Sequence, residues 1–168
     1  MRVLSRIADV LAVVAGLLIL AIMLGVSVDV GARYFFNLPL VWMFEAVQYA
    51  LLAVLFLGSP WVTRNNGHVA IDLLLDVFQP ATRRRMQGIA FLVAALISLF
   101  LSWWAAVLTF DNWSRMVLTT GIYPVPRYYL IALICIGLFL TGIEFLGLAG
   151  RARRGELAPP PIDPSAAV

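Results

Sequence analysis

Lysine is absent from the 168 residues, and histidine and cysteine occur once each, as His68 and Cys135. One cysteine excludes an internal disulfide, and one cysteine with one histidine excludes a Cys-cluster zinc or iron–sulfur site built by this chain alone. A haem held by two histidines of the chain is excluded in the same way. Charge is scarce as well: 12% of residues are charged and 62% hydrophobic, whereas a soluble domain carries about 25% charged residues and about 45–50% apolar ones. The basic residues are all arginine and give a net charge of +3. They sit beside apolar segments and form no solvated stripe interleaved with aromatics, so nucleic acid is not indicated as a partner. No nucleophile with a base and no set of metal ligands stands at matching depths along the chain, which argues against an enzyme and against a bound cofactor.

What the chain has is apolar length. The run 10–28 lies between Asp9 and Asp29 without a charge and matches the roughly 20 residues that a helix needs to cross a bilayer. It is longer than the apolar part of a signal peptide and lacks a clear small-residue cleavage pattern, so it reads as an uncleaved first span. A second span covers about 41–63, with Glu45 near its start. A third covers 86–110, and a fourth about 128–150, with Glu144 near its far end. The fold class is therefore all-α integral membrane, with four transmembrane helices in a single domain over 1–154. The residues 155–168 include Pro159, Pro160, Pro161 and Pro164 and are expected to be a disordered, proline-rich cytoplasmic tail.

Four crossings place both ends of the domain on one side. Arg2, Arg6, Arg64, Arg83, Arg84, Arg85, Arg151, Arg153 and Arg154 then share that side, against Arg33, Arg115 and Arg127 on the other. The excess of arginine marks the cytoplasmic face, so both termini are expected inside.

The connections carry the remaining pattern. Between spans two and three, His68, Asp72, Asp76 and Gln79 recur on one helical face, with Ile71, Leu74, Leu75 and Phe78 on another. That spacing predicts an amphipathic helix lying in the plane of the membrane on the cytoplasmic side, ended with the help of Pro80. Its polar face is either a plain surface anchor or a partner contact. Between spans one and two, Asp29 and Arg33 stand at i, i+4, and Arg33 is also placed to face Glu45. A carboxylate at the depth of Glu45 is costly unless paired, hydrated or protonated. Pairing with Arg33, contact with another subunit and an ion relay are its three readings. Trp42, Tyr34, Tyr123, Tyr128 and Tyr129 fall near span ends, where aromatic rings anchor in headgroups. The connection between spans three and four offers Trp113, Arg115, Tyr123 and Arg127 beside Pro124 and Pro126, residue types favoured where proteins bury surface against one another.

The order Gly31-Ala32-Arg33-Tyr34-Phe35-Phe36-Asn37-Leu38-Pro39-Leu40-Val41-Trp42-Met43-Phe44-Glu45, then Arg64-Asn65-Asn66-Gly67-His68-Val69-Ala70-Ile71-Asp72, then Tyr123-Pro124-Val125-Pro126-Arg127-Tyr128-Tyr129 resembles the small membrane subunit, DctQ type, of tripartite ATP-independent periplasmic (TRAP) transporters. The resemblance covers nearly the whole chain apart from the proline-rich tail. It implies a sodium-driven system of the bacterial inner membrane that takes up organic acids. In it a periplasmic binding protein captures substrate, a large polytopic subunit carries it, and the small subunit accompanies the large one among the membrane lipids. Arg33, Trp42, Glu45, Arg64, His68 and Asp72 stand at motif positions. Where the motif often doubles its acidic residue, this chain has Glu45 followed by Ala46. The competing readings are an autonomous homo-oligomeric channel or exporter, for which Glu45 and Glu144 speak, and a membrane anchor of an enzyme complex.

Overall fold

The computed structural model describes residues 2–38, 40–65, 80–121 and 123–154. They form four helices: α1 (Arg2–Phe36), α2 (Val41–Arg64), α3 (Pro80–Ser114) and α4 (Arg127–Arg154). Each is long and apolar enough to cross a membrane. The sequence pattern is a record of apolar length, and each helix outruns it. α1 and α3 both extend beyond the uncharged runs inside them, because a charged turn continues a helix well once it is past the hydrocarbon and can pair along the helix. Arg33 and Asp29 do this at 2.9 Å in α1, and Asp111 in the last turn of α3 pairs at 2.9 Å with Arg115 just past its end. Pro80, expected to help end an in-plane helix, instead stands as the first residue of α3, where its missing N–H costs nothing. The in-plane helix itself, with His68 and Asp72, falls on 66–79, outside the described residues, as does the tail 155–168.

Neighbours in space follow the order α1, α2, α4, α3. α4 is the axis of the arrangement. It runs parallel to α2 and antiparallel to α3, and its pairing with α3 is the most extensive in the chain. Lipid tails are as apolar as leucine, so this pairing needs close backbone approach and interhelical hydrogen bonds more than hydrophobicity. Both are present. Ala95 of α3 and Ala149 and Ala152 of α4 are buried around Phe91, Phe145 and Leu148, and the two phenylalanine rings stack with centroids 6.3 Å apart. Further along, the Ser102 hydroxyl donates to the Cys135 carbonyl at 3.0 Å, and the Cys135 thiol donates to the Ser102 carbonyl at 3.4 Å. Cys135 is thus partly buried and engaged in holding α3 to α4.

Between α2 and α4 the contact is made by a proline defect. Pro60 sits inside α2 and is buried. It offers no N–H to the Phe56 carbonyl four residues earlier. The Ser59 hydroxyl donates to that carbonyl at 3.3 Å and lies 2.7 Å from the Thr141 hydroxyl of α4, so side chains of both helices surround the bond that proline removed. Gly137 lets α4 approach this point: a methyl there would meet the Phe56 carbonyl oxygen and come 2.7 Å from its Cβ. α1 is buried at few points. Among its described side chains Ala8 and Ala15 are buried, and Val10, Val13, Leu17, Leu20, Leu24 and Val28 form an exposed outer stripe. That stripe faces lipid or a partner.

Candidate functional site

Most residues singled out from the sequence gather at the end of the bundle opposite the chain termini. α1 stops at Phe36, and Asn37 turns the chain with φ 52°, a left-handed conformation that asparagine tolerates better than most residues. The chain then starts α2 with no side-chain cap from its own Leu40. Asp29 of α1 supplies one. Its Oδ1 accepts from the Leu40 N–H at 2.8 Å while its Oδ2 accepts from Arg33 at 2.9 Å. A helix start whose donors would be orphaned is thereby satisfied from the neighbouring helix.

This corrects the expected Arg33–Glu45 pair. Arg33 is paired with Asp29, one turn away on its own helix, and its side chain is 63% exposed. The i, i+4 partner wins because it is held by the helix itself, with no loop to order. Glu45 turns the other way, toward the connection between α3 and α4, and its Oε2 accepts from the Tyr123 N–H at 3.2 Å. Gly121 lies against the same carboxylate, where a Cβ would come within 2.7 Å of Oε1 and 2.8 Å of Oε2. One turn along α2, the Tyr49 hydroxyl donates to Thr119 Oγ1 at 3.3 Å. α2 therefore grips the connection at two points.

The connection is itself ordered like a small hairpin. Thr119 N–H donates to the Val125 carbonyl at 2.9 Å, Arg127 N–H to the Val117 carbonyl at 3.0 Å, and Val125 N–H to Thr119 Oγ1 at 3.0 Å. Leu118 and Pro126 form an isolated antiparallel bridge. Met116, with φ 48°, makes the reversal out of α3. Trp113 stacks on Tyr128 with centroids 5.6 Å apart, and Tyr128 packs on Tyr129 at 4.2 Å. Trp113, Arg115, Tyr123 and Arg127 are all exposed. Arg115 is paired with Asp111 at 2.9 Å, while the Arg127 side chain has no ion pair among the described residues. Trp42 is half exposed beside Glu45.

Arg64 is not part of this cluster. It lies at the opposite end of α2, where it bonds Asp9 at 2.7 Å and the Ser5 carbonyl at 2.8 Å, tying α2 to α1. Glu144 of α4 is buried in the same region, with the charges of Arg64, Arg151 and Asp9 as neighbours. Sequence reasoning missed Asp29 as a cap, Gly121 as a seat for Glu45, and the Ser59–Thr141 contact. The signal for the last was there: single hydroxyls inside otherwise uncharged spans. No group of three or more histidine, cysteine, aspartate or glutamate residues suited to a metal occurs among the described residues.

Comparison with known proteins finds no match among curated proteins and none among solved structures. A family model does match, over residues 22–155, and its description reads "Tripartite ATP-independent periplasmic transporters, DctQ component". The matched region takes in most of the chain: all of α2, α3 and the hairpin connection, the second half of α1 with Asp29 and Arg33, and α4 to its end. The chain belongs to the DctQ family and is a membrane component of a tripartite ATP-independent periplasmic transporter.

Proposed function

We propose that the chain is the small inner-membrane subunit of a sodium-driven TRAP transporter for organic acids, acting as a scaffold for the large transport subunit and helping to dock the periplasmic binding protein. Membership of a tripartite family gives it a large membrane subunit and a binding protein as partners. The observation that carries the scaffold role is the arrangement of the helices. They stand in a row with α1 and α3 at its two ends, and each end helix presents a long apolar face. A row of this kind adds membrane-embedded width to whatever it binds, and resists tilting as a narrower body would not. A large subunit that moves substrate needs something beside it that stays fixed.

Orientation follows from the arginines. With both termini cytoplasmic, nine of the twelve lie inside, and the hairpin with Arg115, Tyr123 and Arg127 faces the periplasm. That places exposed aromatic and arginine side chains on a backbone already stiffened by its own hydrogen bonds and by α2, so less entropy is lost when a soluble partner is held. The connection between α2 and α3, with His68 and Asp72, lies in this reading on the cytoplasmic side.

Co-purification joined to an uptake titration tests both halves. The chain is expected to be recovered in a stable complex with the large subunit. Replacing Arg115 and Arg127 by Ser is expected to lower uptake at limiting binding protein, with recovery of the membrane complex little changed. Failure to recover any complex defeats the scaffold role, and an unchanged titration curve defeats the docking role.

A further inference from the structure

A cavity of about 390 Å³ opens at the hairpin end of α2, lined by Trp42, Tyr49 and Tyr123 with the carboxylate of Glu45, and bounded by Ala46 and Val125. Aromatic faces carry negative partial charge, and a ring set beside a carboxylate forms a host for an organic cation. The lining contains no cationic side chain among the described residues. Its parts are held in place from outside the cavity. The Tyr49 hydroxyl is directed to Thr119, and the Glu45 carboxylate is fixed by the Tyr123 N–H, which also brings the Tyr123 ring into the wall. The mouth is accessible, since Trp42 is 47% exposed and Tyr123 59%. On the other side of Glu45 lies a second cavity, about 510 Å³, whose lining includes Arg33 and Asp29.

We propose that the first cavity binds the ammonium headgroup of a zwitterionic phospholipid, ethanolamine or choline, through the faces of Trp42, Tyr49 and Tyr123 and the charge of Glu45. Position selects a lipid over other amines. The cavity lies beside the first turns of α2, at the end of a membrane-crossing helix, which is where headgroups are found. The inference rests on the chain crossing a membrane and does not depend on its role in transport. A lysine of a partner protein carries the same charge and is the alternative that the test separates.

The full chain is reconstituted in vesicles of equal phosphatidylethanolamine and phosphatidylglycerol, extracted, and its retained lipids are measured by native mass spectrometry. The wild type is expected to retain the ethanolamine lipid in preference to phosphatidylglycerol. Trp42→Leu and Glu45→Gln are each expected to reduce that retention by roughly three- to ten-fold, the range of one cation–aromatic or ionic contact. Tyr49→Phe, which keeps the ring, is expected to retain the lipid. Glutamine leaves an oxygen for the Tyr123 N–H, so the hairpin survives that change. Should circular dichroism show that it does not, Trp42→Leu alone decides. Equal retention of the two lipids by the wild type overturns the proposal, and so does undiminished retention in Trp42→Leu. Absence of bound lipid from the wild type also overturns it, and cross-linking from position 42 to a lysine of a partner in the assembled transporter would then assign the cavity to a protein contact.

Discussion

Glu45 and Gly121 form one contact between the start of α2 and the hairpin, and the physical case for it is steric as well as electrostatic. The carboxylate sits where a side chain on residue 121 would have to be, 2.7–2.9 Å from the position of a Cβ there, so an added methyl makes the end of the Glu45 side chain swing aside and give up its bond to the Tyr123 N–H. Gly121→Ala is therefore expected to loosen the hairpin, seen as faster proteolysis within 115–126 and a lower unfolding midpoint in detergent. Glu45→Ala, which removes the acceptor for the Tyr123 N–H, should do the same, while Glu45→Gln should do so least. If Glu45→Gln and Glu45→Ala are equally damaging, the charge and not the acceptor holds the loop. Very little of this was legible in the sequence. Asp29 and Arg33 announce themselves by their i, i+4 spacing and are indeed paired, but Glu45 and Tyr123 lie 78 residues apart. Nothing local distinguishes that partner from Arg33, which is nearer in sequence and opposite in charge.

Among the helices, the four spans were readable because crossing a bilayer demands apolar length, and length survives in a single sequence. Their ends were less readable, since charged turns that leave the hydrocarbon go on as helix. Which helix touches which was not readable at all: a span is apolar on all sides, so no periodicity marks the face that packs. Glycine marks it afterwards. At Gly137 an added methyl meets the backbone of Phe56, whereas at Gly142 it meets the far end of the Leu99 side chain at 2.9 Å, and at Gly16 it meets nothing within 4 Å. A backbone cannot turn aside as a leucine can, so the expected order of destabilisation is Gly137→Ala above Gly142→Ala above Gly16→Ala, the first by about 1–3 kcal/mol. Unfolding of the three variants in mixed micelles, followed by helical circular dichroism, measures it. Gly16→Ala as damaging as Gly137→Ala would contradict the α2–α4 contact described above.

For the molecule as a whole, two separate facts bear on its role: membership of a transporter family over residues 22–155, and a bundle that ends in a braced hairpin on one side and an arginine-rich edge on the other. The proposed orientation is checked by labelling in intact cells. With Cys135 replaced by Ala, a cysteine introduced at Asn65 should be shielded from an impermeant reagent and one introduced at Thr120 should be labelled; the reverse pattern would invert the topology. The claim that the chain serves a larger transporter is tested most directly by organic-acid uptake into proteoliposomes containing the large subunit, supplied with binding protein and a sodium gradient, with and without this chain. Uptake that requires all the components, and is absent from liposomes holding this chain alone, is the expected result. Uptake by the chain alone, or uptake by the large subunit that is unaltered when the chain is omitted, would contradict the account.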